Sequence, residues 1–599
     1  MKKPCLLIPF LAIMASASFS QVVTFNGQTF KIDTLYPQYD IPSHNKGLSF
    51  PWEITYGPDD SLWVTEAHGY KIWKIHPGNK GNRVLLDLSS MMNFDYYNPP
   101  NGYPAPQGGL MGLAIHPNLF TGSPYVYVAL VYYVYPTTGT TNNSACAGSG
   151  SITNQPCYYK TKILRYTYDL VNQSLGSPVI VMDGLSGSND HNSGRMKISP
   201  VAESDGNYYL YYTIGDQGAG QFNNGMRTNN AQNTDIYEGK ILRLNTVQDS
   251  DIDDGAFDQW IPNNNPFHNS VTGKVNAVWT FGHRNSQGLV WANVNGNWIL
   301  YNSEHGDKSD DEVNIIKPGQ NYGWPKVAGM CDDNYNDTDA NPNNDYLANM
   351  LVHNETSFCT ANNVIEPIFS FFNVLGPAVP SSSVSNYTWP TIAPSSIDYY
   401  DKMAIPGWNN SLLVTSLKLG MYRLQLKAAG DFIDSSSTPQ ITDTIPYLHD
   451  YRIRDIAIAP TGDTLFLAID SSGSTSGPTG GFSGKQVPTK TPGHILRMVF
   501  LETLPFQNNY VPAKPVSNVT TTLVYPNPAT TVLHVLCRSG LHKPFLVQMY
   551  DISGRLVLQQ TTEQDNFTVN VGNLTAGVYV FRLYTGYEVN VTTEKIIIR

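Results

Sequence analysis

Apolar and polar positions alternate along most of this chain in short runs, and the runs recur in groups. "WEITYGPDDSLWVTEAHGYKIWKI", residues 52–75, reads as strand, turn, strand, turn, strand. The same grammar returns in "GLAIHPNLFTGSPYVYVALVYY" with "KILRYTYD", and in "GRMKISPVAESDGNYYLYYTIGD" with "GKILRLN". It returns again in "GLVWANVNGNWILYNSEHG" with "DEVNII", in "SSIDYYDKMAIPGWNNSLLVTSLKLGMYRLQL", and in "RDIAIAPTGDTLFLAID" with "GHILRMVF". Several antiparallel strands per unit, in six units, predict an all-β, six-bladed β-propeller. A pair of β-sandwiches would account for the strands but not for the recurring unit. The units are spaced more widely than a minimal blade of about 40–45 residues, so long insertions hang from the scaffold, where binding groups are often carried.

The pattern stops after Phe500. Residues 503–522 are rich in Pro and Asn, as in a linker, and residues 523–599 form a separate run of alternating strands. Within it, "YPNP", "YDISGRLVLQ" and "LTAGVYVFRLY" resemble the C-terminal sorting domain of the type IX secretion pathway. That resemblance implies a small sandwich-like export tag and, as partner, the type IX secretion machinery. A small carbohydrate-binding sandwich is the alternative for this region.

Composition adds the compartment. Lys2 and Lys3 precede the apolar stretch "CLLIPFLAIMA", and Ser18 and Ser20 precede Gln21, so residues 1–20 read as a secretory signal peptide. The apolar run is too short for a membrane anchor. The propeller domain is therefore expected over residues 21–502. Of the 599 residues only 14% are charged, and the formal net charge is −11, which argues against nucleic acid or an anionic membrane as partner. Five cysteines follow the signal, and in an oxidising compartment Cys146 with Cys157 and Cys331 with Cys359 are spaced as loop-closing disulfides.

Polar stretches fall between blade strands at loop ends that a propeller brings together: "NDHNSGR", "TIGDQGAGQ", "FGHRNSQG" and "SEHGDKSDDE". Taken singly they read as turns or solvated loops. Together they offer Gly-rich backbone, amide side chains and hard oxygen ligands suited to calcium. Lys418 in "SLK", with Arg452 and Arg454 on one side of the extended "RIRD", adds a cation set suited to a carboxylate-rich anion. Rim salt bridges are the plain alternative for these residues.

With "NYGWPKVAG", "WPTIAPSS", "LLVTSLKLG" and "RIRDIAIAP", these motifs occur in the order seen in the soluble pyrroloquinoline-quinone (PQQ) glucose dehydrogenases and the wider glucose/sorbosone dehydrogenase family, which residues 40–500 resemble. The resemblance implies a six-bladed propeller with PQQ on its axis and Ca2+ beside it. It makes His191 the general base and Arg284 a catalytic and cofactor-binding residue. Gln107, Asp190, Gln221 and Trp389 would bind the sugar. Asn285, Gln287, Thr391, Lys418, Arg452 and Arg454 would line the cofactor. Main-chain oxygens of Gly306 and Asp307 would hold the first calcium, with Asp311 beside it. Ala328, Met330, Asp332 and Glu355 would hold a second. Beside these implied roles, Gly194 and Arg195 read as the turn and anchor that hold the His191 loop in position.

Three departures bear on the transfer. His305 and Asp307 stand where glucose enzymes carry Gln and Pro, Asn386 stands where a tyrosine is expected, and Ile453 separates the two arginines instead of tyrosine. The implied activity is an exported aldose dehydrogenase that oxidises the anomeric carbon to a lactone and passes electrons to an external acceptor. The preferred sugar, the natural acceptor and the oligomeric state, a homodimer included, are left open. Its rivals are a non-catalytic propeller that binds a glycan or protein, and a calcium-dependent hydrolase, which would have no use for the Lys/Arg/Arg set.

Overall fold

Strands dominate the computed structural model as the alternation requires, and Glu355–Asn362 is the single α-helix among the described residues. Those residues run from 20 to 599, leaving aside 38–46, 97–104, 135–158, 334–354, 372–390, 435–442, 473–489, 504–522 and shorter breaks. All but the last residue of the expected signal peptide, the expected linker beyond Thr503, Gln221, Trp389 and the Cys146/Cys157 pair lie outside them. No described helix is long and apolar enough to cross a membrane.

The chain divides into two compact units, Met1–Pro505 and Phe506–Arg599. In the first unit each recurring strand group folds into one antiparallel sheet. The first sheet runs Pro51–Tyr56, Leu62–Glu66, Lys71–Ile75, Arg83–Asp87. The second begins with Leu110–Ile115, the third with Met196–Ile198, the fourth with Asn285–Val294, the fifth with Pro394–Tyr400 and the sixth with Ile453–Ile458. Each leading strand packs against the leading strand of the next sheet, and that of the sixth packs against that of the first, so the succession closes on itself. The sixth sheet is completed by the start of the chain: Gln28–Tyr36 pairs with Ile495–Thr503, and Ser20–Phe25 pairs outside it.

Side chains from facing sheets fill the spaces between them. Tyr127, Met196, Leu210, Tyr212 and Leu242, all fully buried, form part of one such layer. Burial of each side chain of this kind contributes about 1.5–3 kcal/mol. A disulfide joins Cys331 to Cys359. In the second unit a three-stranded and a four-stranded sheet share a core that includes Leu533, Val535, Phe545, Met549, Val569 and Phe581. Alternation is clear in Asn566–Asn570, where Phe567 and Val569 point inward.

The antiparallel order positions the site. Where one strand begins, its antiparallel neighbour ends. Segments before the leading strands (Gln107, Asp190–Arg195, Arg284, Thr391, Arg452) therefore lie at the same end as segments after the second strands (Asp216, Gly306, Lys418, Asp470).

Candidate active site

The loop before Met196 is shaped to turn a histidine inward. His191, Ser193 and Gly194 all have positive φ, at 49°, 54° and 94°. Asn192 secures the loop, accepting from the Ser188 N–H at 2.8 Å and donating to the carbonyls of Ser188 (2.7 Å) and Gln107 (2.5 Å). Gln107 Nε2 donates in turn to Asp190 Oδ1 at 3.2 Å, which also accepts the His191 N–H at 3.0 Å. A β-carbon at Gly215 would lie 2.1 Å from the His191 carbonyl, so only glycine allows this loop and the second strand to approach so closely.

His191 is 5% exposed, with Nδ1 2.7 Å from Asp216 Oδ1. Asp216 is fully buried and accepts from the Gly218 N–H (2.9 Å), Trp324 Nε1 (2.8 Å) and Asn229 Nδ2 (3.3 Å). An ionised carboxylate only accepts, so Nδ1 carries the proton of the neutral ring and Nε2 keeps its lone pair. Nε2 lies 3.8 Å from Asp190 Oδ1.

Arg284 is held beside this pair. Its guanidinium lies 5.3 Å over the Trp324 ring, Nη2 is 3.2 Å from Asp307 Oδ1, and its N–H donates to Glu304. Trp324 thus touches both Arg284 and the carboxylate that orients His191. Asn285 Oδ1 accepts from Ser193 Oγ at 3.1 Å, tying the fourth sheet to the His191 loop.

The expected cofactor cations converge and are buried, which sets aside the rim reading. Arg454 forks onto Asp470, donates to Gln287 Oε1 at 2.7 Å, and stacks 4.4 Å over Trp52. Arg452 donates to Leu417 O (2.9 Å) and Ser472 Oγ (2.6 Å) and lies 3.6 Å from Asp470. Burial alone would raise the Asp470 carboxyl, but Arg454 and Arg452 outweigh it and hold it down at about 2. Lys418 donates to Thr391 Oγ1. Burial pushes its ammonium down to about 8, opposed by Asp311 and reinforced by Arg452.

Asp311 fixes the backbone around the expected calcium. It accepts the N–H groups of Gly306 (2.9 Å), Ile392 (2.5 Å) and Ala393 (3.0 Å), while burial pushes its carboxyl up. His305, paired across the sheet with Asn285, is held well below the ordinary histidine range, first by burial and then by Arg284, His191, Arg454 and Lys418. Of the second expected calcium set, one pair is in direct contact. Glu355 Oε1 accepts the Ala328 N–H at 3.0 Å, and Met330 and Asp332 flank the Cys331–Cys359 disulfide.

The donor set fits a polyanionic quinone. Asn285 Nδ2, His305 Nε2 and Arg452 Nε are buried without a hydrogen-bond partner among the described residues. Such groups cost about 1–3 kcal/mol each unless a ligand satisfies them. Among the described residues, no trio of His, Cys, Asp or Glu could cage a metal. Asp216, Trp324 and Asp470 were not singled out from sequence. Asp216 sat in "GDQG", where it read as a turn, and Asp470 ended an ordinary apolar strand.

Comparison with known proteins identifies the family to which the chain belongs. The Glucose / Sorbosone dehydrogenase family matches residues 48–364 and 378–476, and the secretion system C-terminal sorting domain matches residues 523–599. Quinoprotein glucose dehydrogenase B of Acinetobacter calcoaceticus is 32% identical over 76% of this chain and 89% of its own length. An aldose sugar dehydrogenase of Escherichia coli is 24% identical over 71% of this chain and 89% of its own length. The apo crystal structure of the soluble aldose sugar dehydrogenase of Escherichia coli superposes with a TM-score of 0.50 at 20% identity, covering 78% of this chain and 99% of that one. The chain therefore belongs to the glucose/sorbosone dehydrogenase family and carries a C-terminal sorting domain of the type IX secretion class.

Proposed function

We propose that this is an exported, PQQ- and calcium-dependent aldose dehydrogenase that oxidises the anomeric carbon of a sugar to the lactone. In this reading a six-bladed propeller spans residues 21–502 and a separable sorting domain spans 523–599. One observation carries the proposal: a histidine–carboxylate pair, His191 with Asp216, lies at the same end of the ring as four buried cations, Arg284, Lys418, Arg452 and Arg454.

Oxidation of a hemiacetal removes the proton of the anomeric hydroxyl oxygen and, as hydride, the hydrogen on the carbon that bears it. His191 Nε2 takes the proton, since a histidine base works near neutral pH. Bound PQQ would supply an electrophilic quinone carbonyl for the hydride, with calcium polarising it. Gly306 and Asp307 would hold that calcium through main-chain oxygens, and Asp311 sets the Gly306 peptide. Ala328, Met330, Asp332 and Glu355 would hold a second, structural calcium. Lys418, Arg452 and Arg454 bind carboxylates, while Asn285, Gln287 and Thr391 meet the remaining polar edge. Arg284 stabilises negative charge as it develops on oxygen. Gln107, Asp190, Gln221 and Trp389 orient the sugar, and electrons leave to an external acceptor.

The test adds PQQ and calcium to the apo-protein and follows dye reduction with a panel of aldoses. Sugar-dependent reduction is expected. Bound PQQ with no reduction by any sugar would overturn the enzymatic reading in favour of a non-catalytic propeller.

A further inference from the structure

Arg195 is fully buried, and its guanidinium sits where the leading strands meet. Nη1 donates to Glu53 of the first sheet and, at 2.8 Å, to Asp455 of the sixth. Nε donates to the Gln287 carbonyl of the fourth sheet at 2.8 Å, and Nη2 to the Ser395 carbonyl of the fifth at 3.0 Å. Arg195 itself opens the third sheet, where its N–H donates to Thr213 Oγ1 at 2.9 Å. One side chain thereby joins five of the six sheets.

Its acceptors are neighbours of site residues. Asp455 follows Arg454, and Gln287 uses its own side chain to hold Arg454 at 2.7 Å. Ser395 lies shortly after Thr391, and Arg195 shortly after His191 on the same loop. Removing a guanidinium from water costs several kcal/mol, which only a full set of acceptors offsets. Two carboxylates and two carbonyls in four directions suit a planar fork with five donors and do not suit an ammonium.

We propose that Arg195 is a positioning residue: its guanidinium sets the His191 loop in register with the strand ends that carry Arg454, Gln287 and Thr391, so that base and cofactor-binding cations form one site. This rests on the PQQ dehydrogenase reading above. Lys197 provides the internal control. It belongs to the same network, with Nζ 3.0 Å from Glu53 Oε1, but lies two residues further into the sheet, away from the His191 loop.

The experiment compares wild type, Arg195→Lys and Lys197→Met in the full chain, measuring Tm, PQQ affinity by fluorescence titration and turnover at saturating PQQ and calcium. Misplacement of catalytic groups by about 1 Å costs up to about 100-fold in rate, so Arg195→Lys should lose about tenfold or more in both PQQ affinity and kcat. Lys197→Met should lower Tm while leaving both at wild-type values. Wild-type PQQ affinity and kcat in Arg195→Lys would overturn the proposal alone. So would losses in the two variants that simply track their Tm. Absence of PQQ binding by the wild type would overturn the functional reading and this inference together. Should Arg195→Lys not fold, Glu53→Gln keeps an oxygen for Nη1 without the charge. PQQ binding weaker than in Lys197→Met supports the proposal, and equal binding overturns it.

Discussion

His191 donates its Nδ1 proton to Asp216 across 2.7 Å, and this bond decides which nitrogen is left as base. Asp216→Asn can present an N–H₂ to Nδ1 and so favour the tautomer protonated on Nε2. We expect kcat to fall by about 10²–10⁴-fold, with PQQ affinity nearly unchanged, in a dye-reduction assay paired with fluorescence titration. His191→Gln should give a comparable loss, and equal turnover would remove His191 from its role. Asp470 carries a pH dependence of its own. Its carboxyl lies at about 2 in the folded protein against 3.8 for an ordinary aspartate, so the unfolded chain binds the proton more readily. The stability it contributes is present in full above about pH 4 and is lost as pH falls towards 2, amounting to about 2 kcal/mol. Asp470→Asn should lower Tm at neutral pH, and its deficit against wild type should shrink between pH 4 and 2.

At the scale of elements, ring closure depends on the start of the chain. Phe30 and Ile32 in Gln28–Tyr36 are fully buried against the sixth sheet, and Arg497 pairs with Asp33 at 2.9 Å. Deleting residues 20–36 removes these contacts, a loss of about 3–6 kcal/mol, and bares the edge of Ile495–Thr503. A lowered Tm and light scattering from aggregates are expected, and an unchanged melt would show that closure lies elsewhere. The first three strands of each group were legible because their apolar faces are long and alternate. Arg83–Asp87, Phe369–Phe371 and Asp443–Thr444 were not, because short edge strands carry little burial signal of their own. The pairing of Gln28–Tyr36 with Ile495–Thr503 leaves no local trace at all, since it joins opposite ends of the first unit.

For the whole molecule, each unit has its own core, so the catalytic region should not need the sorting domain. A chain ending at Pro505 is expected to keep wild-type PQQ affinity and sugar oxidation but to stay inside the cell, as read by activity in cell fractions. Loss of activity in the purified shorter chain would assign the second unit a catalytic part.

Periodicity and repeat grammar were sufficient to read strands and their grouping, because alternation is written residue by residue. Motif order was sufficient to nominate His191, Arg284 and the Lys418, Arg452 and Arg454 cations. Folding alone brought Asp216 and Trp324, 108 residues apart, to one hydrogen bond. It alone set Asp470 under both arginines, placed His305 among the site cations, and joined Arg195 to four other sheets. These are contacts between distant segments whose strength comes from shared burial, and burial is a property of the closed ring that no local stretch of sequence carries.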